Sequence, residues 1–192
     1  MKKIFLFASV LLLPACSMLS TTPEIAYKPT SAQSELYELQ HWGFDGRIAV
    51  VSKNDVAQAS INWEHSPEED LIKLSGPLGQ GAVRIQLNST GVTIDRGGGD
   101  VKTSNNPEEF INQQVGLFVP VKSLRYWVVG VPEKSQEVIT IESGFEQAGW
   151  RNQYKAMQPV GSHVLPRNMT VTKDSVKLKL FIDQWMLDDK RK

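Results

Sequence analysis

The 192-residue chain predicts a single β-rich α+β domain carried behind a secretory leader. Three observations lead there. Apolar and polar residues alternate with a period of two through many short segments between Gly46 and Leu187. Only two strong helix signatures interrupt that alternation, and a short apolar run opens the chain. The composition agrees: 41% hydrophobic and 22% charged residues are ordinary for a globular protein. With 21 Lys+Arg against 21 Asp+Glu there is no net charge, so no nucleic-acid partner is expected.

Met1-Lys2-Lys3 forms a basic head, and Ile4 to Leu13 is a run of ten largely apolar residues. At 1.5 Å per residue it covers about half of the roughly 30 Å hydrocarbon core, so it reads as a secretory signal rather than a permanent anchor. It ends in Leu13-Pro14-Ala15-Cys16, and Cys16 is the only cysteine. That ending resembles a bacterial lipobox, whose cysteine receives a diacylglycerol and becomes the new N-terminus. Ser17 at the following position resembles the outer-membrane class, where Asp would resemble inner-membrane retention. The expected division is 1–15 signal peptide, 16–31 lipidated flexible tether rich in Ser, Thr and Pro, and 32–192 folded domain. Losing Lys2 and Lys3 leaves 19 basic against 21 acidic residues, a net charge of −2. Attachment then rests on acyl chains, at about 0.8 kcal/mol per buried CH₂, and not on charge. The covalent lipid on Cys16 is the only non-protein group expected, with no cofactor and no metal.

Ala32 to His41 predicts a short helix with Leu36 and Leu39 on one side. Strands follow at Gly46 to Ser52, Val56 to Glu64, Leu71 to Ser75, Ala82 to Asn88 and Val92 to Asp95. Val56 to Glu64 is the cleanest, with Ala57, Ala59, Ile61 and Trp63 on one face. Lys53-Asn54-Asp55, Ser66-Pro67, Gly76-Pro77 and Ser89-Thr90-Gly91 carry turn chemistry, so the strands form an antiparallel meander with one apolar face. Gly97-Gly98-Gly99 is a turn and not a phosphate loop, since no Lys-Ser/Thr follows it. Asn106-Pro107-Glu108-Glu109 starts a helix with a cap and a proline at the first position. A second helix, Ser123 to Val129, sets Leu124, Trp127 and Val128 on one face and stops at Gly130, with Pro132 beyond. Trp150 to Met157 and Met169 to Leu187 return to strands, the last pair turning near Lys173-Asp174 with Val176, Leu178, Leu180 and Ile182 on one face.

No catalytic arrangement emerges. His41, His65 and His163 lack ligand-like spacing, and no G-x-S-x-G occurs. His65 reads as a solvated loop residue, and Glu68, Glu69 and Asp70 as a solvated turn. The unusual segment is Leu74 to Gln80, LSGPLGQ, where Leu78 stands between Pro77 and Gly79 at the tip of a turn that water would normally favour as polar. It either folds back onto the core or projects as an apolar finger that touches lipid.

These segments together resemble the LolB family, outer-membrane lipoproteins that receive other lipoproteins from a periplasmic carrier. The matching segments are the lipobox, Gly46 opening a strand, Gly76-Pro77-Leu78-Gly79, Val119 to Pro132, Trp150-x-x-x-Tyr154, Pro166-Arg167-Asn168-Met169, Lys177 to Leu180 and Trp185. Within Val119 to Pro132 the run L-R-x-W-x-x-G-x-P is the most specific. The resemblance implies an unclosed, curved antiparallel β half-barrel covered by helices, with a hydrophobic cavity between them. It implies no enzymatic activity. It also implies a monomer that faces the periplasm and works with a LolA-like carrier, client lipoproteins and outer-membrane lipids. It puts an exposed leucine at Leu78. Cavity candidates are Ile61, Trp63, Leu74, Ile85, Phe118, Leu124, Trp127, Leu178, Leu180 and Ile182, each of which would serve equally as plain core. The alternatives are a periplasmic carrier of the same fold, against which Cys16 argues, and a structural outer-membrane lipoprotein.

Overall fold

The computed structural model describes residues 25–28, 33–52, 55–76, 81–115 and 119–187. After a single helical turn, α1 (Gln33–Leu36), six strands follow: β1 (Trp42–Ser52), β2 (Asp55–His65), β3 (Glu69–Ser75), β4 (Val83–Asn88), β5 (Gly91–Asp95) and β6 (Val101–Ser104). Two helices come next, α2 (Pro107–Val115) and α3 (Val121–Val129). The remaining strands are β7 (Val138–Ile141), β8 (Gly144–Gln147), β9 (Trp150–Val160), β10 (His163–Lys173) and β11 (Val176–Leu187). All eleven strands form one sheet in the order β6-β5-β4-β3-β2-β1-β11-β10-β9-β8-β7. Every neighbouring pair is antiparallel. The first strand thus pairs with the last in the middle, while β6 and β7 are the two edges and do not pair with each other. The expected unclosed antiparallel sheet is borne out.

Alternation positions the side chains. Along β1 the inward residues Phe44, Gly46 and Ile48 are buried between exposed Asp45 and Arg47. Gly130 ends α3 in the left-handed conformation (φ 98°), where its N–H and that of Val131 bond back to Trp127 O and Tyr126 O. Other expectations are corrected. The first helix is one turn and not the ten residues Ala32 to His41, since four to ten residues nucleate poorly alone. Strand β1 starts at Trp42, four residues ahead of Gly46, because Trp42 and Phe44 already occupy the inner face. Strands β6 and β7 lack the alternation that betrays a half-buried strand, as their outer three residues are exposed on both faces. Strand β10 begins before Pro166, which the ladder tolerates at a register shift between Pro166 and Asn168.

The sheet must curl. Helix α3 reaches β3 through Arg125 and Asp70, and β8 through Trp127 and Gln147. Six strand spacings separate β3 from β8, about 29 Å on a flat sheet, whereas a helix is only about 10 Å across. Two residues of one helix touch both strands only because the sheet wraps around it. The two ends of the wrapped sheet differ. At the end carrying the turns 66–68 and 161–162, Trp42, Phe44, Trp63 and Trp185 are buried in a cluster with ring centroids 5.3–6.2 Å apart. At the other end, where β1 gives way to β2, β3 to β4 and β10 to β11, the inward residues Val50, Ala59, Leu74, Val83 and Val176 are only half-buried. The amino-terminal segment joins the aromatic half, where Met157 N–H donates to Ile25 O at 2.9 Å.

Gly46 sits at the β1–β11 register shift, and a Cβ there would lie 2.4 Å from Phe181 O and 3.2 Å from Ile182 Cα. Both are backbone atoms of the pairing that joins the two halves of the sheet. Gly46→Ala is expected to lower stability by about 2 kcal/mol, or about 4–8 °C in Tm for a domain of this size. Thermal unfolding measures it, and an unchanged Tm would show that the strands part without cost.

Candidate functional site

Nine of the ten cavity candidates converge on the inner side of the sheet. Ile61 and Trp63 on β2, Leu74 on β3, Ile85 on β4 and Leu178, Leu180 and Ile182 on β11 share the face that meets Leu124 and Trp127 of α3. Leu178 and Trp127 are 0% exposed, and only Leu74 is half-buried. Phe118, the turn residues Pro77, Leu78 and Gly79, and Cys16 lie outside the described residues. An apolar cavity of about 460 Å³ lies elsewhere, under α1 and against the β9–β10 turn, between Tyr27, Leu36, Gly130, Met157 and Val164. None of the candidates lines it.

Two polar ties hold α3 inside the apolar wrap, one on each side. On the β3 side Asp70 is 1% exposed and accepts from Trp63 Nε1 at 3.1 Å, His65 Nδ1 at 2.7 Å and the guanidinium of Arg125. This corrects the expectation for this stretch. His65 ends β2 with its side chain 12% exposed, and Asp70 belongs to β3 rather than to a solvated turn. The sequence carried a period-two signal here, since Asp70, Ile72 and Leu74 share a face, but a carboxylate at an inward position reads as a turn until its partners are known. On the β8 side Trp127 Nε1 donates to Gln147 Oε1 at 2.9 Å. Gln147 is 2% exposed and also bonds Glu133 N and Glu133 O at 2.9 and 2.8 Å. No sequence signal marked Gln147, whose partners are 11 to 20 residues away. A third tie comes from Tyr154, whose hydroxyl donates to Trp127 O at 2.8 Å. Burial, and then the stacked Tyr27, push its phenol well above the ordinary range, so it remains a donor.

The outer face is polar. Arg47–Asp183, Lys73–Glu64 and Arg84–Asp95 pair there at 2.7, 3.3 and 3.7 Å with their side chains about a third or more exposed, which contributes little stability. Among the described residues no cluster of His, Cys, Asp and Glu is arranged to hold a metal, and no helix is long and apolar enough to cross a membrane. The arrangement presents an inner face of aliphatic and aromatic side chains, with buried aromatics at one end and half-covered aliphatics at the other, under a helix held by a few directional bonds.

Those bonds are testable. Asp70→Asn leaves Arg125 without its counter-charge and is expected to destabilise the domain by about 2–4 kcal/mol, toward the low side for a buried pair because the Arg125 side chain is 30% exposed. Hydrogen exchange of the 121–129 amides should rise more than that of β1 and β11. Uniform change across the sheet would mean that the tie does not position the helix.

Comparison with known proteins adds the following. The family profile described as "Outer membrane lipoprotein LolB" matches residues 40–185. An outer-membrane lipoprotein LolB of Halorhodospira halophila is 32% identical over 188 residues, 94% of this chain and 93% of that protein. One from a Marinomonas species is 28% identical, with 95% and 96% covered. Among solved structures, a LolA superfamily protein from Nitrosomonas europaea superposes with a TM-score of 0.51 at 8% identity, covering 83% of this chain and 94% of that one, a likeness of fold alone.

Proposed function

Because the chain belongs to the LolB family of outer-membrane lipoproteins, a family of lipoprotein localisation and not of enzymes, we propose how its fold carries out that role. It takes lipoproteins from a LolA-like periplasmic carrier, shelters their acyl chains against the inner face of the half-barrel, and inserts them into the outer membrane. The observation that carries this reading is the asymmetry of the wrapped sheet. At one end Trp42, Phe44, Trp63 and Trp185 are buried in one cluster, while Val50, Ala59, Leu74, Val83 and Val176 leave apolar surface half-covered at the other.

Physical chemistry demands such a shelter. Releasing one acyl chain of about fourteen methylenes into water costs roughly 11 kcal/mol at about 0.8 per CH₂, so the chain must pass from one apolar site directly to another. Direction follows from differential affinity, tighter in the receptor than in the carrier and tighter still in the bilayer. Acyl chains enter at the half-covered end, displacing side chains around Trp127 as α3 shifts within its ties. Fold alone does not separate receptor from carrier. Cys16 in its lipobox favours the receptor, because a soluble carrier needs no lipid.

The decisive experiment mixes the lipid-free domain with a lipoprotein-loaded carrier and follows transfer; no transfer overturns the reading. Cys16→Ala is expected to release the protein from membranes on fractionation while acceptance continues, and persistent membrane attachment would remove the lipid from the account. In sequence Leu78 falls between β3 and β4, a connection that starts and ends at the half-covered end. There it dips into the inner leaflet during delivery, with an insertion worth about 1.5–3 kcal/mol. Leu78→Glu should leave acceptance near wild type and slow insertion into added liposomes. Equal loss of both steps, or of neither, would make Leu78 a packing residue.

A further inference from the structure

Asn152 is 0% exposed, and neither its Nδ2 nor its Oδ1 has a hydrogen-bond partner. A buried amide normally satisfies both groups, and an orphan in a native interior calls for an explanation. Its surroundings supply none. Asn152 faces inward on β9 and lies in one register row with Phe145 on β8, Val171 on β10, Leu178 on β11, and Val50 on β1. All four are apolar, so the row offers a bridging water too few of the two to four polar partners it needs. The neighbouring inward residues of β9 are Trp150, whose ring lies 6.3 Å from that of Trp127, and Tyr154, which bonds Trp127 O. Trp127 of α3 therefore lies over the stretch of β9 that carries the orphan amide.

The position along the sheet identifies the missing partner. The row runs on to exposed Ala57 through Val50, at the half-covered end, next to the β8–β9 turn 148–149. Deeper rows, toward Trp63, Phe44 and Trp185, are lined mainly by apolar side chains, and the polar groups among them, the Asp70 carboxylate and the Tyr154 hydroxyl, already have partners. An acyl chain lying in those rows would bring its polar junction, the point where chain meets headgroup, to the level of Asn152. Hydrocarbon satisfies neither amide atom, whereas an ester carbonyl accepts from Nδ2 and the N–H of an N-acylated cysteine donates to Oδ1.

Resting on the acyl-chain reading above, we infer that Asn152 is the polar anchor of the site and binds the ester and amide carbonyl junction of the client's diacylglyceryl cysteine when Trp127 moves aside. Recognition of a linkage rather than of a sequence suits a receptor whose clients share only their lipidated cysteine.

The test uses the lipid-free domain and two synthetic pentapeptides, one bearing a diacylglyceryl cysteine and the other its dialkyl ether analogue, which has chains of the same length and no ester carbonyl. Wild type should bind the ester ligand about tenfold more tightly than the ether. Asn152→Leu, which keeps a branched side chain without polar atoms, should erase that preference while binding the ether ligand as wild type does. Asn152→Ala serves as the second variant should leucine overfill the site. An ester preference that survives in either folded variant, or that is absent from wild type, overturns the inference. A wild type that binds neither ligand overturns the acyl-chain reading itself. Displacement of the ester peptide by equimolar phosphatidylethanolamine with the same chains would assign the anchor to membrane lipid and overturn its assignment to the client.

Discussion

The pairing of β1 with β11 governs the rest of the molecule. Joining the first strand to the last puts the chain ends in the middle of the sheet and sends the middle of the chain to its edges. The link between the two edge strands then carries α2 and α3, and α3 lies inside the curl. A sheet filled in this way by part of its own connection curves around α3, and β6 and β7 are not paired with each other. Gly46 makes the central pairing possible by letting the backbone of Phe181 come closer than any side chain would allow.

Inside the curl, polar atoms are few and are spent on orientation. Asp70 and Gln147 each gather three or more bonds and fix α3 from opposite sides. These bonds are directional where the apolar packing is not, so they select one seating of the helix among many that would bury similar area. Asn152 lies between them without partners of its own.

Much of this was legible in the sequence, for identifiable reasons. The period-two pattern located β2 and the inward faces of Leu178, Leu180 and Ile182, because one buried face forces alternation. Gly130 announced the end of α3 because only glycine takes its conformation without strain. The edge strands β6 and β7 were silent, since strands exposed on both faces carry no hydrophobic period. The polar ties were silent for another reason: Arg125 and Asp70 are 55 residues apart, and Trp127 and Gln147 are 20 apart. No local window joins them. The resemblance of the motif containing Arg125 and Trp127 pointed to the right helix without saying what holds it.

The attachment of Ile25 to β9 has a mechanical consequence. Nine peptide steps separate it from Cys16, and fully stretched they reach about 30 Å. Ile25 bridges Met157, about 23 Å along β9 from Trp150 at the half-covered end. A lipid at Cys16 would thus hold the body by its flank on a leash longer than that distance, like a moored boat free to swing end for end. The orientation that faces an incoming carrier and the orientation that faces the membrane would then be two postures of one tethered object.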